Sequence, residues 1–244
     1  MEITLVDWTR MGNGYCLAGA VLQEGKVRIV RPLLRRRDRP RARQAGWSAF
    51  SVDGYSRWEK FELVGAADAA AEPPHLEDIW VRALCSRKVL ANVEERHKIL
   101  AATLLETGQP LFGVPLVTNR LSAYLPPGSG SRSLATIIVP SAQIRFEEVW
   151  RAGATHSDVR VCLPIPNVGE RVLPVKDHVL LQRSEAAGGT PGKRRNLLNL
   201  LIKQMDEQIA VRLGLSRAFL SRAGGPGVCW LMADGFFSFR NPQS

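Results

Sequence analysis

Short segments in which apolar and polar residues alternate recur along the chain, and only two stretches carry a helical period. That pattern constrains the fold of these 244 residues more than any other feature. Residues 2–8, 15–22 and 26–31 read as three strands joined by glycine-containing turns, a β-meander. In the third, Lys26-Val27-Arg28-Ile29-Val30 alternates basic and apolar residues, the period of a strand with one wet face. Strand patterns return at 58–64, 79–84, 135–139, 143–150, 158–163, 171–175, 178–181, 211–219 and 228–239. Residues 66–74 read as a loose connector, and 115–130 as a loop with little regular structure. Asn92 predicts a helix start, with Glu95 closing a capping box and Gly108-Gln109-Pro110 as the stop. Its inward stripe is Ile99, Leu100, Thr103 and Leu104. A second helix is predicted over 194–209, where Leu197, Leu198, Leu201, Ile202, Met205 and Ile209 fall at helical spacing. Strands spaced about 8–12 residues apart with two isolated helices predict a mainly β protein of two small barrels or sandwiches, not a parallel α/β sheet. The two would meet between residues 106 and 130.

Charge is unevenly placed. From Lys26 to Arg43 nine Lys/Arg stand against one Asp, a net of +8, while the whole chain carries +10. The remainder is therefore nearly neutral, and the protein reads as a β body with one cationic face or arm. Hydrophobic residues make up 45%, enough for a packed core, which excludes global disorder. No apolar run reaches the roughly 18 residues of a membrane span, and the N-terminus lacks a basic-then-apolar secretory pattern. Cys16, Cys85, Cys162 and Cys229 are scattered through apolar stretches, the pattern of reduced core residues in a cytoplasmic protein.

Three constellations could carry chemistry. Gly188-Gly189-Thr190-Pro191-Gly192-Lys193 invites comparison with a phosphate loop. Ala187 stands where that pattern needs Gly, and Arg194 where it needs Ser or Thr, so the stretch reads as a solvated hairpin tip. His75, Glu77 and Asp78 form a tight polar cluster that could join Asp177 and His178 in a metal-dependent hydrolytic site. Strand alternation divides the cluster between two faces, and an Asp buried against Arg explains it without chemistry. No catalytic residue, metal ligand or cofactor is assigned. His97 and His156 read as surface residues. The third constellation is the basic run. Arg28, Arg31, Arg35, Arg36, Arg37, Arg39, Arg41 and Arg43 can fork onto phosphates, and Trp47 or Trp58 can stack on unpaired bases.

Several segments, taken together, resemble the dual OB-containing domain family, a bacterial family found largely among phage-defence and other conflict systems. They are Ile3-Thr4-Leu5-Val6-Asp7, Gly14-Tyr15-Cys16-Leu17-Ala18-Gly19 and Ile29-Val30-Arg31-Pro32 near the start. Pro74-His75-Leu76-Glu77-Asp78 resembles the family's internal Pro-His-x-Glu-Asp motif. Leu213-Gly214-Leu215-Ser216-Arg217, Cys229-Trp230-Leu231 and Asp234-Gly235 resemble its closing segment. The resemblance implies two OB-like small barrels, here 1–115 with an Arg-rich loop at 33–46, and 116–244 with the second helix. It implies no reaction, and the Arg-rich insert exceeds the family pattern. The expected function is a non-enzymatic nucleic-acid-binding component of a bacterial defence complex, preferring single strands or RNA to a sequence-specific duplex. The alternatives are an adaptor docking an acidic surface of a partner ATPase or nuclease, and a metal-dependent hydrolase built on His75, Glu77 and Asp78.

Overall fold

The computed structural model describes residues 1–11, 14–34, 52, 54–69, 71–106, 108–150, 157–185, 192–218 and 227–238. The chain is mainly β, with two curled sheets of half-barrel form. The first half holds β1 (Glu2–Met11), β2 (Gly14–Gln23), β3 (Lys26–Leu34), β4 (Glu59–Val64), β5 (Ala67–Asp68), β6 (Asp78–Val81) and β7 (Ala83–Leu90). Helix α1 (Val93–Ala102) follows, closed by the expected capping box of Asn92 and Glu95. The second half holds β8 (Val117–Thr118), β9 (Ala123–Leu125), β10 (Leu134–Pro140), β11 (Arg145–Val149), β12 (Asp158–Ile165) and β13 (Gly169–Pro174). Helices α2 (His178–Glu185) and α3 (Lys193–Gln204) lead to β14 (Gln208–Leu215) and β15 (Cys229–Ser238).

The order of the first sheet is β5-β6-β3-β2-β1-β4-β7. Only Arg82 separates β6 from β7, yet β6 runs parallel to β3 while β7 runs antiparallel to β4. One bent strand thus lies along both β3 and β4 and curls the sheet into a small barrel, as closure requires. Ile3, Leu5, Trp8, Leu17, Phe61 and Val81 fill it. In the second half a five-stranded sheet, β10-β14-β15-β9-β8, faces the meander β11-β12-β13. Phe146, Phe236, Leu198 and Ile202 lie in the core between them. Helix α3 covers the edge of β11, where Asn199 Oδ1 accepts from the Phe146 amide at 2.9 Å.

Several expectations are corrected. Residues 178–181 begin a helix, because the Asp177 carboxylate accepts from the Leu180 amide and caps it. The second helix stops at Gln204, and Ile209 belongs to β14, where it packs in the core. Met205 and Ile209 match helical spacing only because a strand begins one turn later. The 79–84 strand breaks at Arg82, the 66–74 connector contains β5, and the 115–130 loop contains β8 and β9. Cys85 is exposed, whereas Cys162 and Cys229 are buried.

The two halves meet on the outer faces of their sheets. In β1 a bulge between Leu5 and Asp7 turns both Val6 and Asp7 outward, while Leu5 and Trp8 stay inside the barrel. In β15 the register shift opposite Arg212 and Leu213 turns Asp234 and Gly235 toward β1. The bulges abut: a Cβ on Gly235 would lie 3.3 Å from Asp7 Oδ1. Around them Val6, Ala20, Trp58, Ala210 and Phe237 make an apolar layer beneath α1. Trp58 holds a left-handed backbone, φ 70°, with its ring edge-on to Phe237 at 5.5 Å.

The fit is close enough to test. A Cβ on Gly214 would overlap the Asp234 carboxyl group, its Cγ lying 2.7 Å away. Gly214→Ala is therefore expected to destabilise the chain by about 1–3 kcal/mol in urea denaturation. Adding Asp234→Ala should recover part of the loss. Strictly additive costs would show that the two positions do not touch.

Candidate nucleic-acid interface

Charged residues inside otherwise apolar strands form a desolvated seam between the halves. At one end Asp78 accepts from Arg31 Nε at 2.6 Å and pairs on its other oxygen with Arg217. The Arg31 amide donates to the Glu77 carbonyl at 2.7 Å. Glu77 in turn accepts from the Ser133 amide at 2.7 Å and hydroxyl at 2.9 Å. His75 Nε2 lies 3.1 Å from the Ser216 carbonyl. Burial, with Arg31 and Arg217 nearby, pushes His75 down to about 2, so it is neutral. Every polar residue of the Pro-His-x-Glu-Asp stretch therefore reaches across to the second half or steadies a residue that does. His75 and Glu77 precede the strand, so alternation does not separate them from Asp78.

The middle of the seam holds Asp7, Arg212 and Asp234. Arg212 is fully buried and its Nε sits 3.5 Å from Asp7 Oδ2. Burial raises both aspartates; Asp234, with Asp7 beside it, is pushed up to about 7. At the far end Arg57 donates to Asp177 Oδ1 at 2.7 Å, and the Phe236 amide donates to Asp177 Oδ2 at 3.1 Å. His178 packs against Trp8 with the rings tilted by 47° and their centroids 4.3 Å apart, and it accepts at Nδ1 from Arg10 Nε at 2.9 Å. No contact joins Asp177 and His178 to His75 and Asp78. Among the described residues no group of three His, Cys, Asp or Glu could hold a metal ion. The signal for the seam is present in the sequence: Asp7, Arg212 and Asp234 each interrupt an apolar strand.

The cationic stretch is divided by its strand. Arg31 is 5% exposed and committed to Asp78, so it is not a phosphate contact, contrary to expectation. Arg28 is exposed at the start of β3, six residues, or about 20 Å, from Leu34 at the other end. Arg35, Arg36, Arg37, Arg39, Arg41, Arg43 and Trp47 lie outside the described residues. Their segment leaves the barrel at Leu34 and returns at Val52, which is buried in the barrel core. Trp58 cannot stack on a base: it is 2% exposed, wedged between Phe237 and Arg96. Trp80, which no sequence pattern marks out, sits half-buried beside Leu33.

The glycine run resembling a phosphate loop lies outside the described residues up to 191. At the helix that follows, Glu148 accepts from the amides of Gly192 at 2.7 Å and Arg195 at 2.9 Å. A carboxylate thus occupies those N-terminal donors. A cleft of about 160 Å³ lies among Arg57, Leu180, Arg183, Gln204, Met205 and Phe236, with mostly apolar walls. Among the described residues no helix is long and apolar enough to cross a membrane.

No family model and no curated protein matches the chain. A murine DNA-binding protein, solved bound to double-stranded DNA, aligns over 96% of this chain and 98% of its own at 11% identity, with a TM-score of 0.30. So slight a likeness defines neither fold nor ligand.

The raised Asp234 gives a signed pH dependence. An unfolded Asp titrates near 3.8 and folded Asp234 near 7, so folding favours the protonated carboxyl. That stabilisation is complete below the unfolded value and is lost as pH rises to about 7. His75 and His178, held down to about 2 and about 4, act oppositely and lose stability as pH falls below 6.5. The difference between wild type and Asp234→Asn isolates the aspartate. The variant's melting temperature relative to wild type should climb between about pH 4 and pH 8 and then level off. A difference that ignores pH would refute the buried, ionisable Asp234.

Proposed function

We propose that this chain is a non-enzymatic, cytoplasmic nucleic-acid-binding component of a bacterial defence complex. On this reading 1–115 and 116–244 are two OB-like domains, and the Arg-rich segment grips phosphates. The observation that carries it is the contrast between two sets of arginines. Arg31, Arg57 and Arg212 lie in the seam, each beside a buried aspartate. Arg35, Arg36, Arg37, Arg39, Arg41 and Arg43 crowd between Leu34 and Val52 with Asp38 as the one carboxylate among them. Six guanidinium groups tethered at both ends to a rigid barrel suit a polyanion, whose binding is driven by counterion release. The likeness of seven short segments to the dual OB-containing domain family supports the defence setting.

Replacing all six arginines by Ala tests the reading. Binding of a labelled oligonucleotide should weaken, and the log–log salt slope should flatten by about 0.7 to 0.9 for each phosphate that an arginine no longer neutralises. Unchanged affinity and slope would remove the segment from the interface.

A further inference from the structure

Helices α2 and α3 are tied together where the chain joins them, with Arg194 Nε and Nη2 donating to Ser184 Oγ at 3.3 and 3.2 Å. Toward the start of α2 and the end of α3 lies the cleft of about 160 Å³. Leu180 and Leu201 line it from the two helices, and Met205 and Phe236 extend the apolar wall. Arg57 reaches the same wall from the first half, so the cleft straddles the far end of the seam. Every residue that lines it belongs to the described part of the chain.

Size and lining bound the occupant. Sites for drug-sized ligands measure about 300–1,000 Å³, and a nucleotide needs more room than this cleft offers. An apolar cavity of about 150 Å³ takes up benzene, so the cleft suits an apolar body of about one ring. Such a site carries a few polar groups that fix the ligand's orientation, and here they are cationic or neutral.

Asp177 is the one carboxylate on the wall, and both of its oxygens are taken. Oδ1 accepts from Arg57 Nη2 at 2.7 Å and from the Leu180 amide at 3.1 Å, and Oδ2 accepts from the Phe236 amide at 3.1 Å. Arg57 is spent as well, since its Nη1 donates to the Phe236 carbonyl at 3.4 Å. Arg183 is different: it is exposed at the cleft and has no ion pair among the described residues. Gln204, also exposed, adds an amide to the same lining. Two guanidinium groups therefore stand against one carboxylate, and the surplus positive charge is the accessible one.

From this geometry we propose that the cleft binds a small carboxylic acid. Its ring-sized apolar body lies between α2 and α3 against Phe236, and its carboxylate meets Arg183, with the Gln204 amide as a second donor. The site does not depend on the nucleic-acid reading. Because Arg57 comes from the first half and the rest of the lining from the second, an occupant favours the docked arrangement of the two.

Benzoate, benzamide and acetate test the site, each titrated into the full chain and followed by amide chemical shifts and thermal melting. Benzoate should saturably shift the amides of Leu180, Arg183, Leu201 and Gln204 and raise the melting temperature. Benzamide keeps the ring without the charge and should bind about 2- to 5-fold more weakly, the worth of an exposed ion pair. Acetate lacks the ring and should leave those amides in place. In Arg183→Gln, an exposed substitution that leaves the cores intact, benzoate should fall to the level of benzamide. Met205→Trp fills the cleft and should abolish the benzoate shifts. Shifts that never saturate, shifts confined to other parts of the chain, or wild-type binding in a folded Met205→Trp would each overturn the site. Equal binding of benzoate and benzamide, or unchanged benzoate affinity in Arg183→Gln, would overturn the carboxylate assignment. Should Met205→Trp fail to fold, the wild-type shifts and Arg183→Gln decide.

Discussion

The two halves of this protein are held together by charges taken out of water. Asp7 meets Arg212, Asp177 meets Arg57, and Asp78 meets Arg31 and Arg217, all across one seam or bracing it. Buried pairs of this kind add little net stability over a well-packed apolar substitute, but breaking one costs about 3–5 kcal/mol. They therefore act as a register: the two sheets fit in one relative placement, with the β1 and β15 bulges nested. Gly214 and Gly235 belong to the same device, because Asp234 occupies the space a side chain on Gly214 would fill, and the Phe237 ring, with Asp7 beyond it, occupies the space at Gly235. The Pro74-His75-Leu76-Glu77-Asp78 stretch lies at one end of this seam, where Asp78 pairs with Arg217, Glu77 holds Ser133 and His75 meets the Ser216 carbonyl across the two halves.

The seam also decides which outer surface of the first sheet stays uncovered. It covers much of the outer face of β1, β2 and β3 and neutralises the arginines it uses. In the sequence, the net positive charge of the first half is concentrated between Leu34 and Val52, where six arginines stand against Asp38. Of the tryptophans, the seam buries Trp58 against Phe237.

Much of the fold is legible in the sequence because strand alternation is a local signal. The opening meander, the capping box at Asn92 and the strands at 135–139 and 158–163 all depend on neighbours a few residues away. The failures have a common cause, which is that tertiary pairing overrides local period. Residues 178–181 look like a strand until Asp177 is seen to cap a helix, and 79–84 looks continuous until Arg82 is seen to turn between two partners. Arg31 reads as a ligand contact because charge alone does not show that Asp78, 47 residues away, neutralises it. The pairing of Asp7 with Arg212 is equally hidden, although a charged residue inside an apolar strand marks both positions.

Native-state hydrogen exchange offers the most direct measurement of whether the seam makes the two halves one structure. The slowest amides of β1 and β2 should exchange through the same opening as those of β14 and β15, with equal free energies and equal denaturant dependence. Two groups of amides with separate free energies, each responding to denaturant on its own, would contradict it.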